Sequence, residues 1–493
     1  MVQKKERDVQ YKGDILKETP GMADAAAVTD PAEEKTGIDT NMTEKKPLKI
    51  GLYLQTDNVR KCFSFRSFHL FRPFEHDMDI AKNSDIDILV FPEACYTKFS
   101  GFVHSKGIFE GDHLEKIKEK CRGLSKKIHK AIVFSGEDHD GTLFSLFYNA
   151  ESQPGETESH LYIKHTATAH SAFDFPDYRT GLMKQLFQPI LFKGYKIGLT
   201  ICYDCNHSLF SRMYGVQGID IILNSTGGNV VRYKWNRYNK ARAIENHCCN
   251  FVTMGGDGRD NSYVFGFNRK GGELPFSNLM RDTQEQNEVG TIYEYCLPSE
   301  GEEPSPDQQE PSVSKNQDLQ IPVGHVDRIL DHADLLAESI YRLPVGKANI
   351  IFCLLKENDI LMPEKVLPLL YHPVLKSIPR KKYILVSQYK HLDASFYNNQ
   401  LSTILKVRAM ENYCAVLLES DLVNQCYQTS DNRNAQVVRP VSGNWGVDLR
   451  RTGGPEVIWR NKEDMKAAWR ENFEWLIQQL CQGTFSDSKH PGQ

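Results

Sequence analysis

Three residues are placed where acyl chemistry would need them. Cys202 closes the apolar run Lys196-Ile-Gly-Leu-Thr-Ile201 and is followed by Tyr203-Asp204 and a turn into Ser208 to Tyr214. A thiol at such a strand end, near the positive end of a following helix and close to a cation, is expected to lose its proton readily and serve as a nucleophile. Glu93, in Phe91-Pro-Glu-Ala94, puts a carboxylate directly after a buried run, at the edge where α/β folds assemble their sites. Lys164, in Leu161-Tyr-Ile-Lys-His165, ends another run with an ammonium that could stabilise a developing oxyanion. Singly, each has an ordinary reading, since most cysteines are small buried hydrophobes and most strand-end carboxylates and lysines are solvated. A nucleophile, a base and an oxyanion donor together describe acyl transfer through a thioester.

The segments that must carry these residues read as α/β. Apolar strands are expected at Lys49 to Leu54, Asp85 to Phe91, Ala131 to Gly136, Thr142 to Asn149, Ser159 to Lys164, Lys196 to Cys202 and Asp220 to Asn224. Leu114, Ile117, Cys121, Leu124 and Ile128 recur at steps of three and four, which predicts a helix over Leu114 to Lys130. Further strands are expected at Asn349 to Leu355, Tyr383 to Gln388 and Ala415 to Glu419, with helices at Asn399 to Glu411 and Lys462 to Leu480.

A chain of 493 residues exceeds one ordinary core. The expected division is a disordered tail over 1–46, a catalytic domain over 47–298, a linker over 299–320, a second α/β domain over 321–482 and a short disordered tail over 483–493. The linker rests on Glu302-Glu-Pro-Ser-Pro-Asp-Gln-Gln-Glu-Pro311, a composition that neither packs nor forms regular structure. Lys240-Ala-Arg-Ala-Ile-Glu-Asn-His-Cys248 matches Lys406-Val-Arg-Ala-Met-Glu-Asn-Tyr-Cys414, and Asn268-Arg-Lys-Gly-Gly-Glu273 resembles Leu449-Arg-Arg-Thr-Gly-Gly-Pro-Glu456, so an internal repeat is expected. The second copy has no Phe-Pro-Glu, no matching lysine and only Cys353 near the nucleophile position, and so reads as catalytically empty.

A net charge of −4 offers no general attraction to nucleic acid or to anionic lipid, and no apolar run reaches the roughly 20 residues that span a bilayer. The stretch from Met1 to Glu44 is polar and charged, without a signal-peptide core. The 12 cysteines are scattered among apolar strands, as suits free thiols in a reducing compartment. These features point to a small-molecule substrate and a cytoplasmic location.

Glu93, Lys164 and Cys202, each at a strand end and in that order, resemble the Glu-Lys-Cys triad of the nitrilase, or carbon–nitrogen hydrolase, superfamily. Trp235-Asn-Arg-Tyr-Asn-Lys-Ala-Arg-Ala-Ile-Glu-Asn246 is similar to that family's helix after the nucleophile, and the Gly255-Gly256 and Gly271-Gly272 turns fit downstream. The resemblance spans roughly Leu48 to Pro298. It implies a four-layer αββα sandwich followed by a second, smaller α/β domain. It also implies Glu93 as general base, Cys202 as nucleophile, and Lys164 with the Tyr203 backbone N–H as oxyanion donors. No cofactor or metal is implied. Tyr203-Asp204 is closer to amidase branches than to nitrilases, which favour Trp after the nucleophile. Asn224 and Ser225 either line the substrate pocket or form an ordinary polar turn. Arg242 and Glu245, three apart on a helix, read as a structural ion pair.

One departure matters. Many family members carry a second glutamate between the lysine and the cysteine, and none occurs here; Asp174 or Asp177 could substitute. Cys202-Tyr-Asp-Cys205, with His207 and His247-Cys248-Cys249, leaves a zinc or redox centre as an alternative, and a catalytically weak binding protein is another. The second domain is expected to pack on the first as a pseudo-dimer, on a surface that family members use for self-association, with a homo-oligomer as the other possibility.

Overall fold

A computed structural model of the chain describes residues 45–55, 72–93, 111–137, 143–164, 187–227, 232–255, 263–279, 290–297, 340–345, 348–355, 357–363, 366, 383–412, 414–423, 425–427 and 456–457. Apolar β-strands collect into three sheets. In the first, β1 (Leu48–Gln55) pairs in parallel with β2 (Ile88–Val90), and β2 with β3 (Ala131–Glu137). β4 (Leu143–Tyr148) and β5 (Ser159–Ile163) continue antiparallel. On the other side β12 (Gly290–Leu297) returns antiparallel to β1 and carries β11 (Ser277–Asn278). The order is therefore β11-β12-β1-β2-β3-β4-β5.

The second sheet has the order β10-β9-β8-β7-β6. β6 (Ile190–Phe192) and β7 (Tyr195–Ile201) form a hairpin, while β7, β8 (Ile221–Thr226) and β9 (Cys249–Met254) run parallel. β10 (Tyr263–Phe267) closes the far edge antiparallel. Every residue of β4 and of β8 is buried, as expected of strands covered on both faces.

The two sheets face each other through side chain to backbone bonds as well as apolar packing. Thr253 Oγ1 donates to Tyr53 O at 2.6 Å, and Ser225 Oγ to Phe91 O at 2.7 Å. Between them, Tyr53 and Phe91 pack at 5.3 Å between ring centroids. α1 (Arg72–Asn83) and α2 (Gly111–Ile128) pack together outside the first sheet, and α3 (Ser208–Gly215) and α4 (Arg232–Asn246) outside the second. The result is the expected αββα order of layers. Close packing of α3 onto β7 needs Gly198, where a Cβ would stand 2.8 Å from the Tyr214 ring.

The third sheet, β17-β16-β15-β14-β13-β18, is built from β13 (Ile340–Val345), β14 (Ala348–Leu355), β15 (Tyr383–Tyr389), β16 (Ala415–Ser420), β17 (Gln425–Tyr427) and β18 (Glu456–Val457). β14, β15 and β16 are parallel. α5 (Ser402–Asn412) connects β15 to β16, is entered through a π turn at Tyr397–Leu401, and packs against α4.

The strands expected from apolar runs are present with small shifts of boundary, and the helix expected over Leu114 to Lys130 spans Gly111–Ile128. The linker over 299–320, the helix at Lys462 to Leu480, the tail over 483–493 and the tail before Lys45 lie outside the described residues, as do the Gly-Gly run before Glu456 and Gly256. β12 had no local signature beyond a mixed Thr-Ile-Tyr-Glu-Tyr pattern. Its place beside β1 is a non-local pairing, which periodicity does not encode.

Candidate active site

Glu93 follows β2, Lys164 follows β5 and Cys202 follows β7, so two strands of the first sheet and one of the second bring them to one buried point. The three side chains are almost fully withdrawn from solvent, with residue exposures of 9%, 3% and 5%. Lys164 Nζ donates to Glu93 Oε1 at 2.7 Å, and the Gly227 N–H donates to Glu93 Oε2 at 2.7 Å. The Cys202 thiol lies near enough to this carboxylate for Glu93 to act on its ionisation.

The electrostatics differ from the expectation of a readily ionised thiol. Burial raises the pKa of Cys202 well above the usual thiol value; the Glu93 charge and hydrogen bond raise it further, against the opposing pull of Lys164. Burial also disfavours the Lys164 ammonium, yet the acidic neighbours, Glu93 first and Asp204 behind it, outweigh it and hold the lysine protonated. The resting arrangement is therefore thiol, carboxylate and ammonium. A thiolate would add a second negative charge beside Glu93, which explains why the helix end and the lysine do not win.

Cys202 has φ 45°, in the left-handed region uncommon for residues with a side chain, at the junction where β7 passes into a 3-10 turn spanning Cys202–Asn206. Asp204 pins this turn. Its buried Oδ2 accepts from Tyr162 OH at 2.8 Å and from Ile201 N at 3.2 Å, tying the turn to β5 and to its own strand. Tyr203, whose N–H lies in the first turn next to the thiol, packs its ring 6.2 Å from Trp235 and 5.5 Å from His207.

Asn224 and Ser225 are buried at the end of β8, and their polar atoms bond within the fold. Asn224 Nδ2 donates to Thr200 Oγ1 at 2.9 Å and its Oδ1 accepts from Thr226 Oγ1 at 2.5 Å. Ser225 holds the Phe91 carbonyl, two residues before Glu93. Asp174 and Asp177 lie outside the described residues.

Sequence reasoning passed over Gly227 and Asp204. A Cβ at Gly227 would stand 2.8 Å from Glu93 Oε2, so only glycine lets the backbone N–H approach the carboxylate this closely. Its signal was the glycine that closes Asn224-Ser-Thr-Gly227. For Asp204 it was an acid two residues past a strand-end cysteine, which alone does not reveal a buried partner on β5.

Cys205 is buried beneath Asn239 and Arg242, and its thiol is pushed up to about 12, first by burial. The described cysteines are free thiols, and among the described residues no three His, Cys, Asp or Glu side chains gather as a metal-binding group. Among the described helices none is long and apolar enough to cross a membrane. Arg242 and Glu245 form the expected ion pair, 2.6 Å apart and buried.

Two facing sheets between helix layers carry these residues at their strand ends. Residues 75–269 match the family model described as carbon-nitrogen hydrolase. No curated protein sequence matches the chain. Among solved structures it is similar to an amidase from Nesterenkonia sp., at 16% identity and a TM-score of 0.36, over 52% of this chain and 91% of that one. It is likewise similar to a cysteine-to-alanine mutant of the Nesterenkonia sp. AN1 amidase in complex with butyramide, at 16% identity and TM-score 0.36, over 52% and 92% of the two chains.

Proposed function

We propose that this site hydrolyses a small amide or carbamoyl-type carbon–nitrogen bond through a thioester on Cys202. The observation that carries this reading is the buried Glu93 carboxylate, bonded to the Lys164 ammonium at 2.7 Å and near enough to the Cys202 thiol to act on its ionisation. As the substrate carbonyl arrives, Glu93 takes the thiol proton while sulfur bonds to the carbonyl carbon. Negative charge then moves from sulfur to the carbonyl oxygen. Lys164 and the Tyr203 N–H hold that oxyanion, and preorganised donors of this kind typically contribute about 3 kcal/mol each. Collapse breaks the carbon–nitrogen bond, and Glu93 returns its proton to the departing ammonia or amine. Water, deprotonated by the same carboxylate, then hydrolyses the thioester and restores the thiol.

A raised thiol pKa suits this sequence of events. The proton leaves only as the carbon–sulfur bond forms, so no thiolate waits exposed to unwanted electrophiles. The site needs a polar substrate small enough to reach a buried sulfur, and its own residues supply each proton transfer. Asn224 and Ser225 act here as supports for the substrate wall. In the chain as a whole, 47–298 forms the catalytic domain and 321–482 a second α/β domain, and the protein works in the cytoplasm.

The test is a screen of small amides, ureido compounds and nitriles for ammonia release, comparing wild type with Cys202→Ala. Ammonia release by wild type alone, with an acyl adduct on Cys202 trapped by acid quench and mass spectrometry, supports the reading. Equal release by both proteins would sink it.

A further inference from the structure

Five strands of the third sheet, all but β18, repeat the five of the second. Hairpin, three parallel strands and an antiparallel edge follow the same order, β6-β7-β8-β9-β10 in one and β13-β14-β15-β16-β17 in the other. The registers agree as well. Ile221 to Thr226 pair with Cys249 to Met254 as Ile384 to Tyr389 pair with Ala415 to Ser420, and the connecting helices α4 and α5 occupy the same crossover. Leu199 pairs with Leu223 where Leu354 pairs with Val386, which aligns the ends of β7 and β14. Counting forward, Glu357 takes the position of Cys202, and buried Asp359 that of Asp204, at the start of a short 3-10 turn, Asp359–Leu361. Cys353, the nearest thiol in sequence, is buried within β14 and is not at the turn.

The two copies meet through four buried charges. Arg242 donates to Glu245 at 2.6 Å and to Glu411 at 2.6 Å; Arg408 donates to Glu411 at 2.6 Å and to Glu245 at 2.8 Å. Asn246 and Asn412 each donate to the carbonyl of their own arginine, at 2.9 Å in both helices. Arg408 also donates to the carbonyls of Ile360 and Leu361, in the turn of its own copy. The Arg242 charge acts on the Cys205 thiol, in the turn that starts at Cys202. Glu411 reaches that side twice, through Arg242 and through Ser208 Oγ at 3.3 Å, the first residue of α3 after the turn.

We propose that the third sheet and α5 are a duplicated copy of the second sheet and α4 with no thiol at its turn, and that Glu411 from this copy is a positioning residue for the turn that carries Cys202. The proposal rests on the hydrolase reading for the role of Cys202, though not for the contact itself. Duplication supplies within one chain a surface that would otherwise face solvent or a second molecule. Arg242 and Ser208 bracket the turn, and Glu411 is the group that links them across the two copies. A left-handed residue with a side chain keeps its conformation only where its surroundings hold it, so anchors on each side, added to Asp204, set where the sulfur sits relative to Glu93.

The test uses the full chain with Glu411→Gln, and reads the alkylation rate of Cys202 by iodoacetamide, resolved by peptide mass spectrometry, beside kcat and KM on an active amide. Misplacement of the sulfur predicts about 10-fold slower alkylation and lower kcat with KM nearly unchanged, in protein whose circular dichroism is that of wild type. Wild-type alkylation and kcat in folded Glu411→Gln would overturn the proposal. If that variant does not fold, Ser208→Ala decides, because it leaves all four charges paired: about 3-fold slower alkylation is expected, and an unchanged rate refutes it. Slower alkylation in a protein whose wild type cleaves no amide would remove the hydrolase reading and keep the positioning role.

Discussion

Lys164 Nζ stands 2.7 Å from Glu93 Oε1, both side chains buried between the ends of two sheets. An isolated charge there would be costly, whereas the pair is neutral and each member has further hydrogen-bond or charge partners. This pair lets a neutral thiol sit beside the carboxylate that is to take its proton. The predictions below follow from it and from the contacts that hold it.

Removing the lysine should damage both chemistry and fold. Lys164→Met takes away an oxyanion donor, for which a loss of about 10²–10³-fold in kcat is expected. It also strands a buried carboxylate, which costs about 3–5 kcal/mol of stability. Steady-state kinetics and urea melts measure the two effects separately. Full activity in the variant would show that the oxyanion is held by other groups.

The thiol of Cys202 should become more acidic when the base is removed. Burial and then Glu93 raise its pKa, while Lys164 lowers it. Glu93→Gln deletes the negative neighbour and keeps the cation, so the thiolate forms at lower pH than in wild type even as turnover is lost. Thiolate absorbance against a Cys202→Ala reference, followed through alkaline pH, gives both titrations. A midpoint that rises or stays fixed contradicts the assigned charges.

Gly227→Ala probes the far side of the carboxylate. Its methyl would meet Glu93 Oε2 at 2.8 Å, displacing the carboxylate from the Gly227 N–H and from the thiol. Because a 1 Å displacement of a reacting group can cost about 10²-fold, kcat should fall by one to two orders of magnitude. A thermal melt should move far less than for Lys164→Met, since no charge loses its ion-pair partner.

Glu411 should make the protein acid-sensitive, whereas Glu245 of the same cluster is pushed up by burial and acts in the opposite sense at higher pH. Burial disfavours the Glu411 carboxylate, but Arg242 and Arg408 outweigh it and hold the pKa below the usual 4.5. A lowered folded-state pKa contributes stability that is present above the unfolded value and lost as pH falls through the folded one. Stability measured by urea at stepped pH should therefore decline below about pH 4.5, and less steeply in Arg408→Met/Glu411→Met, which removes a neutral pair. The double variant should also be less destabilised than Glu411→Gln alone, which leaves an excess buried positive charge. The opposite order would mean that the cluster is not fully charged.

Much was legible before any coordinates, because some constraints are local. Apolar runs ending in Glu93, Lys164 and Cys202 announced strands with reactive ends, and Arg-Ala-Ile-Glu-Asn against Arg-Ala-Met-Glu-Asn announced two like helices. Residue types and the runs that become strands thus lay in the sequence. What it left open depends on distance and solvent. Whether Cys202 is acidic could not be read from a cation nearby in sequence, since burial and the carboxylate of another strand decide it. Gly227, Asp204 and Glu411 gain their roles only from partners 134, 42 and 169 residues away, brought together by sheet pairing and helix packing. Local pattern chooses the elements, but the energy of a buried charge belongs to its whole surroundings, and those exist only once the chain has folded.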